Sequence, residues 1–307
     1  AQNSKIITNK KAVDKGESLA KLAFYRFRKN KLAMGSFIFI VVLILLAIFA
    51  PFFAPKHYAE DDFLSTYLAP NAEFWMGTDF LGRDVMSRII YGTQVSLTVA
   101  IVGAMTSFII GVTYGLVAGF FGGKVDEWMM RFVDVLYAIP TLLFIILIMV
   151  YFRAGKPEDF TGFKAIMYHF DESMGGMLFI FIGIGVASWL RMARIARAET
   201  MAIKQREFIE ADISQGLSRP KILFQRIFPN IVGNCIVAES IEIPSYILFE
   251  AFLSFIGLGV NPPTPSWGAM IAEGMQGLRS FPYLILFPAL AMTITVLPRS
   301  FNDLMAS

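Results

Sequence analysis

Glu239 and Glu242 stand three residues apart within an apolar run, a spacing that puts both carboxylates on one helix face. At membrane depth each ionised group costs roughly 3 kcal/mol to insert, so it must face protein or water rather than lipid. Two roles fit such a pair. The carboxylates line a translocation path or its gate, or they pair with Arg or backbone of a neighbouring helix. Pro244, two residues on, is placed to open the backbone beside them. A second cluster, Asp79, Arg83, Asp84 and Arg88, spaces opposite charges so that they can form ion pairs along one amphipathic helix. No metal chemistry is indicated: HExxH and CxxC are absent, and His57 and His169 fall far apart in predicted loops. Cys235 is the single cysteine, so there is no disulfide framework, and it reads as a small apolar filler. The chain has no GxxxxGK[ST], the usual loop that cradles nucleotide phosphates. No paired Ser/His or two-Asp constellation marks an intramembrane enzyme.

These residues belong to an oily chain. Of 307 residues 56% are hydrophobic and 17% charged, whereas a soluble domain carries about a quarter charged residues. Six apolar runs are long enough to cross a bilayer as helices, at about 34–54, 95–121, 128–152, 176–195, 231–260 and 281–301. The first follows a long basic segment without a small-x-small site behind it, and reads as an uncleaved span. Pro244, Pro288 and Pro298 predict kinks in the last two.

Lys and Arg set the orientation. Residues 1–35 hold nine basic residues against two acids, and 191–226 hold eight against four, while 55–92 hold three against six. With six spans, both basic stretches and both termini fall on the cytoplasmic side. The stretch "LAKLAFYRFRKNK", 19–31, alternates apolar and basic groups and reads as an amphipathic helix on the anionic leaflet rather than a nucleic-acid arm. Gly103, Ser107, Gly111, Gly115 and Gly119 recur every four positions, forming a flat face for close helix packing. The organisation expected is a cytoplasmic segment over 1–35, a first span and external segment over 36–94, and a five-span core over 95–307.

One polar insert interrupts that core, the cytoplasmic loop 196–230. In "EFIEADISQGLSRPKILFQRIFPN", Ile209, Ile213 and Leu217 recur every four residues and predict one apolar face of a short helix, with Glu207, Glu210 and Asp212 around the rest. Gly216 suits the left-handed residue that ends a helix. Ser218 is placed to cap the next, with Pro220 in its first turn. Pro229-Asn230 is expected to end that second helix. Two turns are too short to be stable alone, so the first helix is expected to dock on something, where a plain connector would be shorter.

Glu210, Ala211, Gly216, Ile227 and Pro229 match the EAA motif of importer-type ABC permeases, E-A-A-x3-G-x10-I-x-P, with Asp212 replacing the second alanine. "MGTDFLGRDVMSRIIYGTQVSL", "GKVDEWMMRFVDVLYAIP" and "EAFLSFIGLGVNPPTPSWG" resemble the external segment, third-span entry and fifth-span ending of the peptide and nickel branch. The arrangement is most similar to the second transmembrane subunit of oligopeptide and dipeptide importers. "PRSFNDLMAS" departs from that family's tail rich in GD and RD pairs.

The resemblance implies an all-α membrane protein of six transmembrane helices with the type I importer permease fold. It implies that Glu207, Glu210, Ala211, Asp212, Gly216 and Leu217 form a coupling helix seated in a cytoplasmic ATPase. The chain would pair with a homologous second permease, two ATPase subunits binding ATP and Mg, and an external substrate-binding protein docking near Asp79, Arg83, Asp84 and Arg88. It would bind no cofactor or metal itself, and its setting would be the bacterial inner membrane. At Glu250 a structural role at the helix–loop junction is implied. Two alternatives stay open: the same fold importing nickel, glutathione or another small solute, and an ion-coupled carrier using Glu239 and Glu242 as proton sites, although carriers usually show internal repeats that are lacking here.

Overall fold

The computed structural model describes Tyr25, Arg28, Lys29 and residues 31–155 and 157–296. Tyr25, Arg28 and Lys29 are helical; the remainder of the amphipathic stretch, Pro298 and the final segment lie outside the described residues. The chain divides into two compact units, Ala1–Ile48 and Phe49–Ser307. In the first, helix α1 spans Lys31–Ile48, with Phe37, Ile38, Ile44 and Ile48 exposed, as suits a helix solvated by lipid tails.

The second unit opens with a one-turn helix α2, Ala50–Phe53, and a chain of turns to Asp84. Asp84 starts α3: its side chain accepts from the amide of Ser87, the bond that satisfies an orphan donor of the first turn. That cap sets the start of the helix at Val85, ten residues before the apolar run. α3 is continuous over Val85–Phe121, with a π turn at Ser107–Gly111. α4, Gly123–Ala138, and α5, Thr141–Arg153, follow and are bent by 72° at their junction. The third span expected as one helix is therefore broken. Pro140 is the cause: the residue before a proline is pushed out of the helical region, and Ile139 sits at φ −78, ψ 124. α6 is Gly162–Ser173, so His169 lies in a helix and not in the expected loop.

Among the described residues, α7, Leu178–Lys204, and α3 are the two helices long and apolar enough to cross a membrane, with the bent α4–α5 pair a third if it is counted as one span. α8 is Glu207–Ser214 and α9 Arg219–Ile222. α9 does not end at Pro229. It passes through a π turn, Leu223–Ile227, straight into α10, Phe228–Phe255. Pro229 comes just after that π turn, and the widened turn accommodates a residue that cannot donate a helical bond of its own. α10 also runs unbroken through Pro244. α11, Trp267–Met275, and α12, Tyr283–Val296, complete the described residues, and α12 is a shorter apolar helix.

The small-residue face of α3 packs on α7, as its spacing predicts. A Cβ on Gly111 would sit 2.7 Å from the Trp189 carbonyl, on Gly115 2.2 Å from the Ala193 carbonyl, and on Gly119 2.8 Å from the Arg197 carbonyl. Backbone touches backbone along this seam. One apolar cluster joins Val112 and Leu116 of α3 and Met192 of α7 to Ile209 of α8, then to Ile231 and Cys235 of α10. Cys235 is thus the filler its type suggested.

Candidate functional site

The insert folds as a helix docked at one end. Ile209 is fully buried in the cluster shared by α3, α7 and α10, which supplies the support a two-turn helix lacks alone. The shared apolar face is only partly realised: Leu217 packs on the same cluster, but Ile213 is 54% exposed, because the buried face of the helix runs through Ile209 and Asp212 instead. At its end the Leu217 amide donates to the Asp212 carbonyl and the Gly216 amide to the Ile213 carbonyl, 3.1 and 3.0 Å. This paired closure requires a left-handed residue, and Gly216 has φ +77. Ser218 stands before α9 but makes no side-chain cap bond, and Arg206 makes none before α8.

The six insert residues separate by orientation. Glu207, Glu210, Ala211 and Gly216 face outward, together with Phe208 at 43% exposure. Asp212 faces inward, where its Oδ2 lies 2.9 Å from Arg226 Nε, and Leu217 is half-buried. Asp212 therefore ties α8 to the π turn that leads into α10. Arg226 stays half exposed, so Asp212→Ala is expected to cost only about 1 kcal/mol, read as a small drop in thermal midpoint with membrane insertion unchanged.

On α10 the two carboxylates share a face but not a partner. Glu239 is buried. Ser107 Oγ donates to its Oε2 at 2.8 Å, and Tyr246 Oη to its Oε1 at 2.7 Å. Ser107 opens the π turn of α3, the kind of widened turn that recurs at functional positions, and its hydroxyl also lies 3.2 Å from the Ser188 carbonyl. α3, α7 and α10 thus meet at one acid. Glu242 pairs with Arg191 of α7. Glu250 is fully buried and accepts from Ser254 Oγ at 2.7 Å. Ser254 lies 3.5 Å from Ser266 Oγ, and Ser266 caps α11 by accepting from the Ala269 amide. Glu250 therefore stands at the head of a chain of side chains that reaches the start of α11.

The charges between Asp79 and Arg88 are not arrayed along one helix. Asp79 and Arg83 lie on the turns before α3, where the Gly82 position leaves no room for a side chain: a Cβ would fall 1.8 Å from the Asp62 carbonyl. Arg83 Nε donates to Asp79 Oδ2 at 2.7 Å, and Arg88 donates both to Asp79 and to Glu273 of α11 at 2.8 Å. Asp84 is spent on capping α3, accepting from the Ser87 amide and hydroxyl. All four are buried. As side chains they hold the segment together; the large apolar groups exposed there include Phe63, Leu64, Trp75 and Phe80. On the same segment the Ser65 hydroxyl and the Leu64 amide hold Asp62 below the usual carboxylate range. Its turn therefore keeps these bonds above the ordinary value and loses them only as pH falls through the lowered one.

Sequence reasoning missed four ion pairs. Glu273 lies 185 positions from Arg88, and its signal was a lone acid in the apolar stretch of α11. Arg153 donates to Asp171 at 2.9 Å and to the Gly176 and Gly259 carbonyls, binding the end of α5 to α6 and to two turns. Arg194 and Arg197, read only as orientation charges, pair with Asp134 and Asp126 of α4. Among the described residues no cluster of three or more His, Cys, Asp or Glu could hold a metal ion.

An all-helical bundle with a two-turn insert docked between α7 and α10 is the architecture of a membrane transport component. The chain belongs to the binding-protein-dependent transport system inner membrane components, whose family model matches residues 111–301. The model of the N-terminal TM domain of oligopeptide transport permease C matches residues 18–70. Among its relatives, the oligopeptide transport system permease protein OppC of Bacillus subtilis is 38% identical over 282 residues, covering 92% of this chain and 86% of the relative. OppC of Escherichia coli K12 is 36% identical over 96% of this chain and 92% of its own. The glutathione transport system permease protein GsiD of Pectobacterium atrosepticum is 34% identical over 89% and 84%. The family resemblance drawn from the motifs is borne out, and with it the all-α permease fold. The chain is a membrane permease component of a transport system.

Proposed function

We propose that this chain is one of two transmembrane subunits of an ATP-driven peptide importer, and that α8 is the part that couples it to the motor. The observation that carries the reading is the orientation of α8. Ile209 and Asp212 anchor it to the bundle, while Glu207, Phe208, Glu210, Ala211 and Gly216 are presented outward. A partner gripping that face moves Ile209, and through it the cluster of α3, α7 and α10.

The partners are a homologous permease, two cytoplasmic ATPases that bind ATP and Mg, and an external substrate-binding protein that meets the exposed Phe63, Leu64, Trp75 and Phe80 around the buried ion cluster. The complex sits in the bacterial inner membrane with both termini cytoplasmic, and it engages no nucleic acid. This chain binds no cofactor and no metal of its own. ATP binding below, followed by its hydrolysis and the release of ADP and phosphate, drives the two permeases between outward and inward openings.

The test is Gly216→Val beside Glu210→Ala, with co-purification of the ATPases and peptide uptake as readouts. Nothing lies within 4 Å of a Cβ at Gly216, so the valine acts through backbone strain, about 1–2 kcal/mol, and not through a clash. Gly216→Asn, which tolerates positive φ, is expected to retain uptake while the valine variant loses most of it. Persistence of both ATPase binding and uptake in the Val and Ala variants would sink the coupling role. The glutathione permease relative supports a second cargo reading, which competition of labelled peptide uptake by glutathione decides. Uptake surviving deletion of the ATPases would make the chain an ion-coupled carrier instead.

A further inference from the structure

α6 presents three different faces. Lys164, Met167, Tyr168 and Asp171 turn inward: Met167 packs on the apolar cluster that holds Met149 of α5 and Phe179 of α7, and Asp171 is buried against Arg153. His169, Glu172 and Ser173 make an exposed polar face. Between the two runs a stripe of Phe163, Ile166 and Phe170, spaced as one helix face and 68%, 67% and 55% exposed. A helix with its own protein on one side and polar groups on another fits a boundary, with an apolar medium against the third.

The placement of α6 says which medium that is. Arg153 ends α5, and its guanidinium joins Asp171 to the carbonyls of Gly176, just before α7, and Gly259, just after α10. α6 is thereby held level with the ends of three apolar helices, at the end of α7 away from α8. Its stripe is also continuous with an apolar face of the bundle. The Phe163 ring meets Phe152 of α5, centroids 6.1 Å apart, and the exposed side chains of Tyr151, Leu147 and Leu143 lead back along α5 from there. Lys164 marks the edge. Its ammonium lies 5.3 Å from the Tyr151 ring centroid and 4.1 Å from that of Phe160, the aromatic and cationic company found at a membrane surface.

We propose that α6 is an interfacial helix, lying in the surface of the leaflet opposite α8 with Phe163, Ile166 and Phe170 sunk among lipid acyl chains. Through the Arg153–Asp171 pair this contact fixes the depth at which the ends of α5, α7 and α10 stand. The inference depends on the chain being a membrane component and not on the coupling role of α8.

The test uses the assembled transporter with Cys235→Ala and the other subunits free of cysteine, reconstituted in vesicles of phosphatidylethanolamine and phosphatidylglycerol. Ile166→Cys, Phe170→Cys and His169→Cys are each labelled with bimane. The side chains replaced are exposed, so the labels report position without repacking the core. At Ile166→Cys and Phe170→Cys the bimane is expected to lose most of its fluorescence to lipids carrying a nitroxide high on the acyl chain. A nitroxide near the chain's methyl end is expected to quench less, because the apolar face of such a helix sinks only about 5–10 Å. Aqueous iodide is expected to quench these two positions little and His169→Cys strongly. Iodide quenching as strong at the stripe as at His169→Cys would overturn the proposal, and more so if the external binding protein relieved it. A stripe that neither quencher reaches would overturn it too, since a protein partner would then cover those residues. Peptide uptake measured on the same preparations keeps the permease reading separate, which stands if uptake persists.

Discussion

Arg88→Met is expected to destabilise the region where residues 57–84 pack on α11 by about 3–5 kcal/mol, the cost of breaking a buried charge pair from one side. Arg88 is 2% exposed and bonds to both Asp79 and Glu273. With it gone, Arg83 alone faces the two acids, and its Nη2 lies 3.6 Å from Glu273, too far for a full hydrogen bond. The measurement is the thermal unfolding midpoint of the purified transporter, with protease cleavage within residues 57–82 as a local readout. Cleavage is expected to appear in the variant well below its unfolding temperature. Arg88→Met combined with Glu273→Leu removes the stranded charge, and is expected to recover much of the loss, since apolar replacement of a buried pair is often near neutral. An Arg88→Met variant as resistant as the parent would mean that the cluster is not closed to water.

The second large effect is at the α3–α7 seam. A Cβ at Gly115 would stand 2.2 Å from the Ala193 carbonyl and 2.7 Å from the Arg197 amide. Neither atom is the tip of a flexible side chain, so Gly115→Val can be accommodated only by separating the helices. Overpacking of a well-filled core costs about 1–3 kcal/mol and occasionally more; here the obstacle is backbone, and a loss of at least about 3 kcal/mol is expected. The quantity of full-length chain in the membrane fraction and its recovery with the other transporter subunits report it. Gly233→Ala is the control. Nothing lies within 4 Å of a Cβ there, and in a helix interior the alanine is favoured by about 0.5–1 kcal/mol. If Gly115→Val accumulates and assembles as well as Gly233→Ala, α3 and α7 are free to part.

These effects differ in how far they could be foreseen. The four-residue spacing of Gly103 to Gly119 announces a close seam, because helical periodicity fixes which residues share a face. Its partner, α7, is not written in that spacing. The ion cluster is the opposite case. Asp79, Arg83, Asp84 and Arg88 were visible as charges, but their proximity in sequence suggested a helix, whereas turns and a cap use them in three different ways. Proximity along the chain ranks candidate pairs only within a helix; once the backbone turns, it no longer does.

Linear order alone was enough for the class of protein, the two turns of α8 and its glycine stop at Gly216. It was enough because spans, caps and left-handed glycines are local consequences of backbone hydrogen bonding and sterics. It took the folded chain to show that α9 runs on into α10 and that Ile209 is buried while Ile213 is not. The same holds for Glu242, which meets Arg191, and Glu239, which meets only hydroxyls. Those outcomes depend on which helix faces come to lie against one another, and a burial or a charge pairing exists only once two distant segments share the same few ångströms.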